Sequence, residues 1–406
     1  MDYVPVIEKQ FHDDFNEPLK SGDIPDSTII LEFGSMFNQP LKPGDIPNTI
    51  TTLRFGADFN QPLNHGDIPN SVIRLDFGKR FNQPLKPGDI PNSVTCLNFG
   101  SCFNQLLKPG DIPSLVTYLY LGGFNKPLKP GDIPNSVTHL IFGDAFNQSL
   151  KLGDIPSSVT YLNLGGFDHP LHPGEIPNSV TILNLGKNFD HPLNIGDIPD
   201  SSNLLHFSEK FNQPLAPGII PHSVCELYLG FSFNQPLNSG DIPNSVLYLL
   251  FGGDFNQPLK SGDIPDAVTI LYLSTNFNQS LKPGDIPNSV TDLYFKENFN
   301  QPLIPGSIPN SVKSIFFSEN FNQPLTPGVI PDSVTYLKFG KDFNQPLKPR
   351  DIPNSVMYLY FDEDFNQSLN PGVIPTSVTN LALNYSFKER LNIENIPESV
   401  TNIIFM

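Results

Sequence analysis

Cysteine is scarce: only Cys96, Cys102 and Cys225 occur in 406 residues. An odd number with no evident pairing argues against a secreted disulfide framework. It favours reduced thiols in a cytoplasmic setting, the host cytoplasm if the source is viral. Long apolar runs are also missing. The opening residues, MDYVPVIEKQFHDD, lack an apolar stretch of signal-peptide length, and no run approaches the about 20 residues of a membrane span. Basic residues are outnumbered, 24 against 41 acidic, for a net charge of −17. This balance disfavours nucleic acid and anionic membrane as partners, since both require a basic face, and favours solubility and basic partners. Catalytic signals are missing as well. No Ser, His and acid combination stands out, and no glycine-rich loop is spaced to cradle a phosphate. The chain is therefore not expected to be an enzyme or to need a cofactor.

What the sequence does contain is proline, 43 residues, and phenylalanine, 33 residues. Unordered Pro-rich chains are poor in aromatics, so this combination points to an ordered chain with little helix. The Phe residues mark a repeat, F-N-Q-P-L-K-P-G-D-I-P-N-S-V-T-x-L-x-F-G-x-x, whose first place falls at Phe15, Phe37 and Phe59 and so on to Phe387. The step is 22 residues except after Phe103 and Phe146, where it is 21 and the coil ends in Leu-Gly-Gly. Eighteen copies fill residues 15–406.

Six apolar places recur: Phe first, Leu fifth, Ile tenth, mostly Val fourteenth, Leu seventeenth, and Phe or Leu nineteenth. Only the final L-x-F step has the period of two that marks a strand. Proline at the fourth, seventh and eleventh places excludes helix elsewhere. One coil cannot bury so much apolar surface, but stacked coils can, with like residues placed over one another at about 4.8 Å. The fold expected is a mostly β repeat solenoid: a curved stack of about 18 coils of 22 residues. It has one parallel sheet of short strands, an irregular Pro-rich convex side and little helix. The expected organisation is a single solenoid domain with an N-terminal cap over 1–14, seventeen repeats over 15–386 and a degenerate capping repeat over 387–406.

Other places carry roles. Asn at the second place reads as a ladder of inward amides that satisfy turn groups. Gly at the eighth suggests a backbone angle that other residues resist, although Arg350 and Glu394 stand there in two coils. Acidic residues occupy the ninth place in thirteen coils and Lys the sixth in nine. The reading favoured for the acidic row is a solvated convex surface, with a cation-binding strip as the alternative. Its self-repulsion is relieved if the carboxylates cap turns or pair with Lys. Ser at the thirteenth place reads as turn chemistry.

The Phe-Asn … Ile-Pro signature, as in Phe81-Asn82 … Ile90-Pro91, closely resembles the FNIP repeat family, known mainly from social amoebae and giant viruses and similar to leucine-rich repeats. The resemblance implies a leucine-rich-repeat-like curved solenoid used for protein recognition. Many members carry an N-terminal F-box that recruits a ubiquitin ligase; here only fourteen residues precede Phe15, part of which (Val6 to Phe11) looks like half a capping coil.

Constant places specify the stack, so recognition falls to the places that vary. The sixteenth and eighteenth flank the inward strand Leu and point to the open face of the sheet. Ten of the twelve Tyr fall there: Tyr118, Tyr120, Tyr161, Tyr228, Tyr248, Tyr272, Tyr294, Tyr336, Tyr358 and Tyr360, joined by Phe316. Such an aromatic stripe suits a protein or peptide partner; the competing reading is that Tyr is simply a good strand residue. Two coils read Phe167-Asp168-His169 and Phe189-Asp190-His191. Stacking would bring His169 and His191 near Asp190 as a transition-metal set, but a duplicated variant coil on an exposed loop is the favoured reading, and no metal is expected. The remaining function classes are a structural component that associates through solenoid ends and a ubiquitin-ligase adaptor acting without its own F-box. The open final strand at Ile403-Ile404-Phe405-Met406 suggests a homodimer through that edge.

Overall fold

The computed structural model describes residues 8–387 and 391–405. The chain divides into two compact units, Met1–Ser202 and Asn203–Met406. In the first, nine short strands run from β1 (Glu8–Gln10) to β9 (Ile182–Asn184). In the second, ten run from β10 (Leu204–His206) through β17 (Tyr358–Tyr360) and β18 (Asn380–Leu383) to β19 (Asn402–Phe405). Within each unit successive strands pair in parallel and in register, so that Leu31 meets Leu53 and Leu249 meets Leu271. The only helical pieces among the described residues are two single 3-10 turns, Tyr385–Phe387 and Ile393–Asn395. The fold is the expected leucine-rich-repeat-like solenoid. The strands lie one residue earlier than L-x-F suggests, at the sixteenth to eighteenth places, as in Tyr248–Leu250. The nineteenth residue extends only a few of them.

Each coil contributes its apolar places to the core. The first-place Phe is 0% exposed from Phe37 to Phe343, and the strand Leu and fourteenth-place Val are equally buried. The rings form offset stacks: Phe33 and Phe37 lie 4.0 Å apart, and Phe37 and Phe59 lie 6.1 Å apart at 3°. The 6.1 Å separation between like rings is wider than the about 4.8 Å strand spacing and falls in the range that offset aromatic pairs prefer, while the 4.0 Å contact is a closer face-to-face approach.

Polar ladders hold the irregular return paths together. The backbone N–H of Asn82 donates to Asn60 Oδ1 at 2.9 Å, and Gln83 Nε2 donates to both the carbonyl and the side chain of Asn60. The same pattern recurs coil after coil, for example at Asn234, Asn256 and Gln257. The Asn ladder was legible; its Gln half was not. These amides are half-buried rather than fully inward. The last second-place residue, Lys388, lies outside the described residues, as do the first seven residues, which include Val6 of the half coil. Ser at the thirteenth place binds a neighbouring coil rather than its own turn: Ser93 Oγ donates to the Val72 carbonyl at 2.7 Å.

The acidic row overturns the expectation of a solvated surface. Asp197 is 1% and Asp111 3% exposed. Asp111 Oδ2 accepts the backbone N–H of Lys108 at 2.9 Å, and the Asp111 N–H returns to the Lys108 carbonyl at 3.0 Å. The turn leaves the sixth-place N–H without a backbone partner, and a short carboxylate three residues on reaches it. Burial pushes the Asp111, Asp154 and Asp263 carboxyls up, while these N–H bonds pull the other way.

Two glycines per coil have different causes. The eighth-place Gly sits at positive φ, 94° at Gly44, and Arg350 adopts 78° in its place. The twentieth-place Gly answers to crowding: a Cβ on Gly56 would stand 1.9 Å from the Gly34 carbonyl oxygen.

Candidate functional site

The sixteenth and eighteenth side chains leave the sheet on the face opposite the core. Most of their strands repeat one burial pattern, half-buried, buried, half-buried, as in Tyr248-Leu249-Leu250, while a few, such as Tyr358-Leu359-Tyr360, begin with an exposed residue. A three-residue strand displays two residues per coil, and parallel in-register pairing sets each beside its counterparts one coil away.

In Asn203–Met406 the aromatic residues on this face make one connected ladder. His206 stacks on Tyr228 at 4.0 Å, and Tyr228 meets Tyr248 at 5.3 Å. Tyr248 meets Tyr272 at 5.4 Å, and Tyr272 stacks on Tyr294 at 4.0 Å and 5°. Tyr294 stacks on Phe316 at 4.4 Å, and Phe316 meets Tyr336 at 4.9 Å. Tyr336 then contacts Tyr360 at 5.1 Å and Tyr358 at 6.0 Å. The ladder crosses between the two columns where one column lacks a ring, as at Leu250 beside Tyr248. Every sequence-predicted residue of this unit belongs to it. His206 is an addition, an imidazole that serves the ladder as a flat ring.

In Met1–Ser202 the set is smaller. Tyr118 and Tyr161 face each other across His139, at 6.2 and 5.7 Å. Tyr120 stands in register between Asn98 and Ile141, with no ring neighbour among the described residues. The first coils carry ion pairs on the same face instead. Arg54 lies 3.6 Å from Glu32 and 3.5 Å from Asp76, and Arg74 binds Asp76 at 2.7 Å.

Burial holds several of the ladder rings in their neutral form. Burial, then the adjacent Tyr272 phenol, pushes Tyr294 up to about 12. Tyr248 is raised further by burial and by Tyr272 and Tyr228, and Tyr228, Tyr336 and Tyr118 rise for the same first reason. Burial lowers His206, which keeps its imidazole neutral. Lys296 lies over the Tyr272 ring at 5.2 Å. The face offers ring edges and phenol hydroxyls, with Glu226, Asp292 and Lys338 interspersed on the same columns.

The two Asp-His coils take their places in the amide ladder. His169 Nε2 lies 3.2 Å from the Asn147 carbonyl, where other coils place the Gln donor. His191 Nε2 lies 3.2 Å from Asp168 Oδ1. A carboxylate brought against His191 is thus that of Asp168, one coil earlier. No group of three or more His, Cys, Asp or Glu placed to hold a metal ion occurs among the described residues. Nor, among them, is any helix long and apolar enough to cross a membrane.

Comparison with known proteins follows from this geometry. A family model described as the FNIP repeat matches twelve segments that begin with 37–80 and 59–102 and end with 343–386 and 365–406, together spanning residues 37–406. No curated protein matches the chain. Among solved structures, CroV588, a giant-virus protein described as a novel circular LRR structure, is 31% identical with a TM-score of 0.76; the match covers 98% of this chain and 69% of that one. The LRR protein LIC12759 of Leptospira interrogans is 14% identical with a TM-score of 0.50, over 91% of this chain and 94% of the other.

Proposed function

Because the chain belongs to the FNIP repeat family, and so to a leucine-rich-repeat-like class of scaffolds, we propose that it is a non-enzymatic interaction protein that takes a protein or peptide on the open face of its sheet. The observation that carries this reading is the run of nine contacting rings from His206 to Tyr360. Tyr needs no such continuity to stabilise strands, and a row of half-buried phenols supplies large contact area at low entropic cost. The partner covers ring edges and accepts or donates at the hydroxyls, of which those of Tyr248 and Tyr294 are held protonated by burial. Tyr118, Tyr120 and Tyr161 extend the same chemistry on the first unit.

The test replaces Tyr248, Tyr272 and Tyr294 together by Ser and compares proteins co-purified with wild type and variant. Partners lost from a variant that keeps its circular dichroism and melting profile support the face as the binding site. An unchanged partner set from a folded variant assigns the ladder to sheet stability alone. Ligase subunits among the lost partners would mark an adaptor, and structural assemblies would mark a scaffold.

A further inference from the structure

A second surface lies on the turns, away from the sheet. The seventh and eighth places, Pro-Gly in most coils, and the Ile-Pro segment at the tenth and eleventh places line this surface together. In Met1–Ser202 a groove along it opens into a space of about 870 Å3 walled by Pro130, Pro134, Pro156, Pro173 and Pro177. A second space of about 700 Å3 is walled by Pro69, Pro87, Pro91 and Pro113 and adjoins the first at Pro134, which lines both. Leu152, in the place other coils give to Pro, lines the first while 78% exposed.

Basic residues flank the turns that line this groove, although the chain carries −17. Lys86, Lys108, Lys129 and Lys151 occupy the sixth place of four consecutive coils, one residue before the turn that walls the groove, and all are exposed. Among the described residues none of them has a carboxylate within the 4.0 Å of an ion pair. The carboxylates of the same turns are withdrawn: Asp89, Asp111, Asp132 and Asp154 are buried and accept the lysines' backbone N–H groups at 2.8 to 2.9 Å. Four exposed lysines therefore border an apolar floor, with Lys108 and Lys151 also drawn electrostatically toward Asp111 and Asp154 of their own turns.

We propose that this groove binds an extended acidic peptide segment, its carboxylates on the Lys86–Lys151 row and its apolar side chains against the proline walls. Coils spaced about 4.8 Å apart present a row of about 15 Å, which an extended chain rising about 3.3 Å per residue matches with four or five residues. An acidic peptide is held extended by its own charge, so little ordering is required of it. A nucleic acid supplies anions but nothing to cover the proline floor. The surface is separate from the aromatic ladder, so it stands or falls independently of that reading.

Fluorescence anisotropy with a labelled peptide of six Glu-Pro repeats, titrated with the full chain at low salt, tests this. Saturable binding is expected, absent for a Lys-Pro peptide and weakened by added salt. Replacing the four lysines by Gln is expected to weaken it at least about tenfold. The melting profile should hold, because the Asp caps use backbone N–H groups and Asn64 already occupies this place with the same cap. Leu152→Asp, one exposed residue, is expected to weaken binding about threefold or more. The Tyr248, Tyr272 and Tyr294 triple variant should bind as wild type does. The proposal is overturned if the Glu-Pro peptide does not saturate, if the four-lysine variant binds within about twofold of wild type, or if an oligothymidine of equal charge binds as tightly.

Discussion

Replacing Asn256 by Ala tests whether the amide ladder holds each coil to the one before it. Asn256 Oδ1 accepts two bonds from the following coil, the Asn278 backbone N–H at 2.9 Å and Gln279 Nε2 at 3.1 Å. The Asn256 N–H still donates to Asn234 Oδ1 in the variant, so the loss falls on one junction only. An unsatisfied buried donor costs about 1–3 kcal/mol. These two are half-buried, and water reaches them in part, so the lower end applies to each and the sum is about 2 kcal/mol. Amide hydrogen exchange reads this locally, because coils in a solenoid touch only their neighbours. Protection of the Asn278 amide should fall by about 30-fold, the equivalent of 2 kcal/mol, while the Asn344 amide, three coils away, keeps its rate. Asn256→Asp retains an oxygen acceptor, as Asp168 does naturally, and should lose much less. An Asn278 amide within about threefold of wild type in the Ala variant, or equal losses at Asn278 and Asn344, would refute the ladder as a junction-by-junction device.

Two further outcomes follow from the glycines and the buried acids. Gly44→Ala meets open space but must hold a φ of 94°, for about 1 kcal/mol, whereas Gly56→Ala drives a Cβ to 1.9 Å from a carbonyl oxygen, for about 2–3 kcal/mol. Melting temperatures in the reverse order would sink that distinction. Asp111 is raised above 3.8 by burial, so its contribution to stability is fully present below 3.8 and is lost as pH rises through the higher folded value. Asp111→Asn keeps an acceptor for the Lys108 N–H without the buried charge. It should therefore exceed wild type in stability at pH 7, with the difference closing toward pH 3.8; a variant less stable at pH 7 would show that the charge itself holds the turn.

The stack was legible because every coil repeats the same apolar places, and Phe37, Leu53 or Val72 needs only its own column to be buried. The open face was legible for a related reason: Tyr248 and Tyr272 interrupt columns that are otherwise polar or aliphatic. What escaped were relations that cross from one place to a different place in the next coil. Gln83 reaches back to Asn60, Ser93 to Val72, and Gly56 clears the carbonyl of Gly34. A repeat aligned with itself shows like over like and hides such offsets. The Asp row was misjudged on charge alone: Asp111 follows Lys108 by three residues, which is the reach of a turn cap, and a backbone donor outweighed exposure. His206 was passed over because imidazole is weighed first as a ligand, and here it serves as a flat ring.

The amide ladder has a consequence for how such a chain acquires its length. Asn60 receives from Asn82 through the same atoms by which Asn234 receives from Asn256. Any coil that supplies the Asn-Gln pair can therefore follow any other, and a duplicated or deleted unit of 22 residues rebuilds its junctions without adjustment elsewhere. Selection can vary the number of display positions on the sheet face independently of what they display. The coils that begin at Phe103 and Phe146, one residue short and closing in Gly-Gly, show the tolerance of that process: the missing residue is absorbed at the turn, and the rungs across them, from the Asn125 N–H to Asn104 and from the Asp168 N–H to Asn147, remain at 2.9 Å.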